Sequence, residues 1–594
     1  MIVPMKKLTV ITQSKDALSA VSSLRSLGVV HVAHQKAPVA KDISALHEDI
    51  AVLDTAFDIL RSEMISGAAA DETPDPSGDW KNTAKHIIDS RGRMEQLAEY
   101  SRTLKALIST WERWGDFDPE TIQLLRERGV QVQLYQIPAK EVKDLPSGLI
   151  VEKIFTSQGM VFCAVISQQK IDIPFKEISI PKMSLAKMRL RLVEDQKTTA
   201  ALRAEIHSRI GYLKVFTKVK KLIQKEIEFK EALHGMGEAD NLSYLTGFIP
   251  YDAAKQVSSR AKEERWAVVI EDPSEDEAVP TLVRNPRWIS IINPVFKLLE
   301  IVPGYTELDI SFWFLVFFSI FFGMLIGDAG YGAVFLLLTI FAHKKFGKKL
   351  SDKSIFILFY ILSLCAIIWG LLTGTIFGQE WLPSSFKPIV PALRNDKTIQ
   401  ELCFLLGATH LTIAHAWRAM LKLPRLTALA DVGWISILWG GLFLAKTLVL
   451  GQTFPSFGKW LFIIGSAAVV IFTEPNKNVL KGLGAGLGNL LLNIVNSFTD
   501  IVSYIRLFAV GLATVAVADS FNKMALDIGF GNIFTSIATC LILLLGHGLN
   551  IVLGPMSVLV HGVRLNVLEF CSHVDIKWSG FAYRPLREEP VKLK

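Results

Sequence analysis

Long stretches without a single Asp, Glu, Lys or Arg run through the second half of the chain, and they limit what it can fold into more than any motif does. They lie at 310–327, 354–378, 404–417, 432–445, 460–473, 482–499 and 528–563. A helix crossing a bilayer core of about 30 Å needs about 20 mostly apolar residues, and it satisfies its own backbone where no water can. With flanking residues, these stretches predict membrane-spanning helices. The first extends to Ala342, giving 33 residues whose sole charge is Asp328, with Gly323, Gly327, Gly330 and Gly332 near its middle. Those glycines allow a tight two-helix hairpin. The expectation is an all-α polytopic domain of about eight helices at 309–575, followed by a tail at 576–594.

Basic residues orient the spans. If the N-terminal half is cytoplasmic, the inner loops hold Lys344, Lys345, Lys348, Lys349 and Lys353, then Arg418, Lys422 and Arg425, then Lys477 and Lys481. The outer loops are poorer, apart from three basic residues in 379–400. This is the positive-inside pattern, and it places both termini in the cytoplasm. Reading 310–342 as one helix inverts every later loop, so the hairpin is preferred. The opening MIVPMKKLTVITQSKDALSAV lacks a signal-peptide apolar core, which agrees with a cytoplasmic N-terminal half.

Residues 1–308 are charge-rich and predict an α+β fold: two small αβ units joined by long coiled-coil-like helices. Strand, helix and strand succeed one another over 5–34, giving a first αβ unit at 1–40. A helical arm occupies 41–130, interrupted by GAAADETPDPSGDW, whose Pro and turn residues break the periodicity. Alternating apolar residues make 131–180 strand-rich. Leu202, Ile206, Ile210, Leu213, Phe216, Ile223 and Ile227 trace a stripe along a helical strut at 181–240. A second αβ unit fills 241–280, and 281–308 is a linker. This layout suits a strut that docks other subunits better than it suits a catalytic domain.

Several function classes are excluded. Five widely spaced cysteines offer neither a disulfide framework nor a metal site. No GxxxxGK[ST] phosphate loop occurs, and the glycine run from Gly482 to Gly488 follows no strand; close helix packing explains it. No nucleotide, metal or other cofactor is expected. The net charge of +7 reflects basic residues beside membrane segments, not a nucleic-acid surface.

The last two spans differ from the rest. The stretches 482–518 and 528–563 contain 37 and 36 residues, about 54 Å each as helix, so they are expected to tilt, break or project. Arg506 lies in the first. An intramembrane arginine keeps its charge and marks an ion path or a counter-charge. Asn493, Asn496, Asp500 and Ser503 lead toward it as a polar stripe. At 100° per residue, Ala509, Ala513, Ala516 and Ser520 share its face, and small side chains let another helix pass closely. On the last span His547, Asn550, Ser557, His561 and Arg564 fall on one arc. Asp500 is poorly spaced to pair with Arg506, so its counter-charge is expected to come from outside the chain.

FFGMLIGDAGYG (321–332), SYIRLFAVGLA (503–513) and LVHGVRLNVLEF (559–570) resemble the a/I subunit of V-type and A-type rotary ATPases. LTGFIP and PGYTELD in the soluble half agree, and the resemblance covers the whole chain in its prokaryotic form. It implies a non-catalytic membrane stator beside a ring of proteolipid subunits (the c/K ring), each bearing a buried carboxylate. It also implies two ion half-channels, peripheral stalks of the E/G type on the cytoplasmic arm, and a central stalk joined to a soluble ATPase sector. Arg506 matches the family's essential arginine and Arg564 the second one. Where the family often has a histidine downstream of the first arginine, Thr514, Val515 and Ala516 stand here, and Asn566 replaces a common aromatic or histidine.

By position, Asp500, Glu474, His547, His561, Glu569, Asn550 and Ser503 are the half-channel candidates. Asp328 is expected to cap the hairpin, and His410 and His415 to serve packing. The alternative class, a self-contained secondary transporter with a regulatory domain, predicts two similar membrane halves. Intramembrane arginines here occur only at the C-terminal end.

Overall fold

The computed structural model describes residues 1–65, 79–142, 149–171, 173–350, 352–378, 388–473 and 479–588. Most of the Pro-rich interruption after residue 66 and all of Glu474 lie outside the described residues. In chain order the elements are β1 (Met5–Gln13), α1 (Ala17–Leu27), β2 (His31–Ala33), α2 (Lys41–Ile65), α3 (Trp80–Trp111), α4 (Pro119–Glu127), β3 (Gln131–Pro138), β4 (Ile150–Ser157), β5 (Met160–Ser167) and β6 (Lys176–Ile178). Next come α5 (Leu185–Ser208), α6 (Tyr212–His234), β7 (Gly237–Ala239), β8 (Leu242–Pro250), α7 (Ala254–Glu264), β9 (Ala267–Glu271) and α8 (Asn293–Leu299). Contacts divide the chain into two units: Met1–Val10, Leu27–Val32 and Thr246–Lys594 form one, and Ile11–Ser26 with Ala33–Leu245 form the other.

In the second unit α2, α3, α5 and α6 share a core that includes Leu53, Leu60, Ile87, Ile206, Phe216 and Ile223. Their charged faces turn outward, but Glu63 and Asp195 are buried, and Glu63 shows what that requires. It is 4 % exposed and is held by Arg203 at 3.0 Å and Arg91 at 3.3 Å, since a carboxylate out of water needs charged partners. The strut expected at 181–240 is two helices, not one. Around Arg209–Tyr212 the backbone switches to i→i−3 bonds, which tighten and end a helix. The apolar stripe runs on through the break, so periodicity alone hides it. Strands β4-β5-β3-β6 form a separate sheet, antiparallel across β3–β5 and β4–β5, with Trp114 against Phe155 and Phe162 on one face.

The two expected αβ units turn out to share one sheet, ordered β2-β8-β1-β9 with β7 on β8, most of whose residues belong to the first unit. Burial explains the merger. From Leu245 to Pro250, β8 is buried at every position, too apolar on both faces for a small independent sheet. Gly247 permits the approach to β2, because a Cβ there would lie 2.4 Å from the His31 carbonyl oxygen. The segment after the last helix joins this region: Thr281 and Tyr583 exchange backbone bonds with residues 581 and 281, and Leu586 N–H donates to Val30 O at 2.8 Å.

The same unit carries the apolar helices α9 (Ser311–Ile326), α10 (Ala329–Phe346), α11 (Ser354–Thr373), α12 (Asp396–Lys422), α13 (Ala428–Leu450), α14 (Gly458–Phe472), α15 (Val479–Ser503), α16 (Ile505–Ile528), α17 (Ile533–Ser557) and α18 (Cys571–Val574). Helices α9 and α10 bend by 120° at Gly327, whose φ of +69° is glycine territory. Asp328 caps α10, accepting from Gly330 N–H at 2.7 Å and Tyr331 N–H at 3.2 Å. By length and composition, four of the described helical stretches suffice to cross a membrane, or five with the bent pair. The last of them, Ile533–Val574, includes π-helical turns at Val558–Gly562 and Leu565–Phe570.

Candidate functional site

The site begins where α15 gives way to α16. Tyr504 N–H bonds to Ile501 O, and Leu507 N–H bonds to Tyr504 O at 3.0 Å instead of reaching back four residues. The Ser503 carbonyl, which a continuous helix would have used, accepts the Arg506 Nε–H at 2.9 Å. The other end of the guanidinium pairs with Glu569 Oε1. The expectation of a counter-charge only outside the chain is therefore corrected: Glu569, 63 residues away in sequence, supplies one within it. The same oxygen accepts from Ser503 Oγ at 3.3 Å and faces Arg564 Nε at 3.5 Å. Glu569 Oε2 is buried with no hydrogen-bond partner among the described residues.

Burial separates the two arginines. The Glu569 side chain is 5 % exposed and that of Arg506 23 %, against 55 % for Arg564. Arg506 is thus the principal counter-charge, and Arg564 is a looser second one. Behind them His410 lies between Phe317 and Phe570, with ring centroids 3.7 and 4.3 Å away, and its Nδ1 meets Tyr504 OH at 2.8 Å. That is a packing role.

His415 departs from expectation. With Asp500 it belongs to a row of titratable groups: Asp500 Oδ2 to His573 Nε2 at 3.1 Å, His573 Nδ1 to His415 Nε2 at 2.8 Å, and His415 Nδ1 to Asp431 Oδ1 at 3.4 Å. Asp431 also binds Arg418 Nε at 3.0 Å and Lys422 Nζ at 2.7 Å. Sequence reasoning missed Asp431 and His573. Asp431 stands in the first turn of α13, just outside the charge-free run that begins at residue 432, so the rule that found Arg506, a charge inside an apolar run, passes it by. Asn493, Asn496, Asp500, Arg564, Glu569 and His573 all line one polar cavity of about 630 Å³.

The single arc expected on the last span is corrected. His547 and Asn550 gather elsewhere: His547 Nδ1 meets Tyr331 OH at 2.7 Å, its Nε2 meets Asn522 Oδ1 at 3.2 Å, and Asn550 Nδ2 donates to Tyr331 OH and to Thr514 O, both at 3.0 Å. His561 is half-buried, within electrostatic reach of Arg506 and Arg564. The π turns bond i→i+5 and rotate the residues beyond them, so a projection at 100° per residue fails after Ser557. Ala509, Ala513, Ala516 and Ser520 are all exposed on α16. No group of described residues has the makings of a metal site.

No family model matches the chain. Curated relatives do. The chain is 32 % identical to "V-type ATP synthase subunit I" of Borreliella burgdorferi over 99 % of its own length and 100 % of the relative's. It is 30 % identical to "V-type ATP synthase subunit I 1" of Treponema pallidum over the same shares. Against "A-type ATP synthase subunit I" of Methanocaldococcus jannaschii it is 26 % identical over 63 % of this chain and 60 % of that one.

Proposed function

The chain belongs to the subunit I family of V-type and A-type ATP synthases, and from that premise we propose that it is the membrane stator against which a proteolipid ring turns. It catalyses nothing by itself; ATP chemistry belongs to the soluble sector of the complex. Its membrane part spans the bilayer about eight times with both termini in the cytoplasm. Residues 1–308 form the arm that holds the peripheral stalks, 309–575 the translocating domain and 576–594 the tail.

One observation carries the reading: Arg506 sits in an apolar helix, charged and paired, on a helix whose exposed face carries Ala509, Ala513, Ala516 and Ser520. A ring carboxylate crosses lipid only when protonated, because the neutral form avoids the cost of a charge there. Beside Arg506 its ionised form is favoured, by about 1–3 pKa units for an opposite charge in contact. The ion then leaves into one half-channel, and the next carboxylate is refilled from the other. The polar cavity lined by Asn493, Asn496, Asp500, Arg564 and Glu569, with Ser503 bonded to Glu569, fits one half-channel. The Tyr331–His547–Asn550 cluster fits the other, with His561 near the arginines. Glu569 holds the guanidinium between arrivals, and the small residues give the ring's helices close approach.

Purification of the tagged chain tests this. A ring of proteolipid, stalk subunits and the soluble ATPase are expected to come with it, and recovery of the chain alone from native membranes refutes the stator role. Arg564→Ala is expected to give a partial defect, at most about a fivefold loss of pumping, since the exposed pair with Glu569 is worth at most about 1 kcal/mol. Wild-type coupling in ATP-driven uptake by vesicles removes Arg564 from the site.

A further inference from the structure

The row Asp500–His573–His415–Asp431 can be counted in protons. It contains three successive contacts of 3.1, 2.8 and 3.4 Å, and each is a hydrogen bond only if a proton lies between its two heavy atoms. Two neutral imidazoles bring one proton each, and two carboxylates bring none. Three bonds need three protons. Whichever tautomers the rings adopt, the row holds one more proton than neutral histidines and ionised carboxylates supply.

The surrounding charges decide where it resides. Asp431 is fully buried and already shared by Arg418 and Lys422, so it has little affinity for a proton, and a cation on His415 would face both. Asp500 is 25 % exposed and has no Lys or Arg in salt-bridge distance among the described residues. Arg418 meets His573 at its backbone carbonyl, at 3.3 Å, and not at its ring. Arg564, Glu569 and Asp575 line the same cavity, and Arg506 lies behind Glu569.

We propose that His573 and Asp500 share one exchangeable proton at the cavity wall, that they pass it to and from the translocation site, and that the ion moved by this chain is therefore H⁺. The inference rests on the stator reading above. On release, the N–H bond at His573 Nε2 breaks and an O–H bond forms on Asp500. That acid then yields its proton to cavity water or to an ionised carboxylate facing Arg506, and becomes a carboxylate again. Refilling reverses the two transfers. His415 keeps its Nδ1–H toward Asp431 throughout and fixes His573 as a donor through Nδ1.

The test uses the whole complex in vesicles, with ATP-driven acidification read by a pH-sensitive dye and radioactive sodium uptake in parallel, over an outer pH range of about 5.5 to 8.5. Wild type is expected to acidify without added sodium. His573→Gln is expected to lower the pumping rate about tenfold and to move its optimum to lower pH, because protons must then come directly from bulk water. Asp500→Asn keeps the side chain's shape and is expected to do the same, which covers a failure of the histidine variant to assemble. Wild-type rate and pH profile in both variants, or sodium uptake in place of acidification, overturn the proposal. Arg506→Lys serves as the separate check: if it is inert while the other two behave as wild type, only this inference falls, and if it pumps normally the stator reading falls with it.

Discussion

Arg506→Lys and Arg506→Gln each give an assembled complex that no longer pumps ions into vesicles, with transport reduced about 100-fold or more, the scale on which one preorganised charged group matters. The geometry makes even lysine inadequate. The guanidinium binds the Ser503 carbonyl through Nε and Glu569 through Nη2 at once. An ammonium is a point charge without that fork, so it satisfies one contact and abandons the other. Glutamine is worse for Glu569, which is left 5 % exposed with only the half-exposed Arg564 nearby. Removing one partner of a buried pair costs about 3–5 kcal/mol, and the carboxyl is expected to escape that cost by taking up a proton. Arg506→Gln combined with Glu569→Gln therefore regains thermal stability, read as the Tm of the purified complex, without regaining transport. Full pumping by either single variant, measured by ATP-driven uptake, contradicts the role given to Arg506.

The parts of this site that could be read from sequence share a cause. Arg506 stands out because a charge inside an apolar run is costly wherever the run ends up, and Asp328 because a carboxylate before a glycine-rich helix start is a cap in any fold. What could not be read is set by long-range contact. Glu569 meets Arg506 across 63 positions, and no helical periodicity links them. His573 and His415 are 158 apart. The helix break at Tyr504 contains neither Gly nor Pro; it is fixed by packing, with Gly407 against the Tyr504 ring and His410 on its hydroxyl. The two expected αβ units merged for the same reason: strand order is decided by which apolar faces meet, and β8 was too apolar to stay at an edge. The expected phase of the last span failed for a local reason, the π turns, which leave no signature in the pattern of apolar residues.

Gly370→Val is expected to be the most damaging substitution away from the charges. A Cβ at Gly370 would lie 2.0 Å from Ala329 N and 2.7 Å from Ala329 Cα, so the obstacle is backbone and cannot rotate aside. Ala329 is also fixed from the other direction: its N–H donates to Thr375 O at 3.0 Å, and the neighbouring Asp328 accepts from Gly378 N–H at 3.2 Å. Relief requires α11 to withdraw from the α9–α10 turn, exposing Gly323 and Gly332, which pack on α11 at 2.8 Å in the same sense. Overpacking of this kind costs about 3 kcal/mol or more. Gly548→Ala is the control, since its Cβ meets nothing within 4 Å; it is expected to leave Tm unchanged or slightly raised, as alanine favours helix by about 1 kcal/mol. The displacement is also expected to reach Arg506. At the other end of the same turn Gly511 rests on the Met324 carbonyl, a Cβ there lying 2.5 Å from it, and Gly511 follows Arg506 by little more than one helical turn. Gly370→Val should therefore lose transport even in the fraction that assembles, and wild-type pumping per assembled complex would mean that the turn bears on folding alone and does not help to place Arg506.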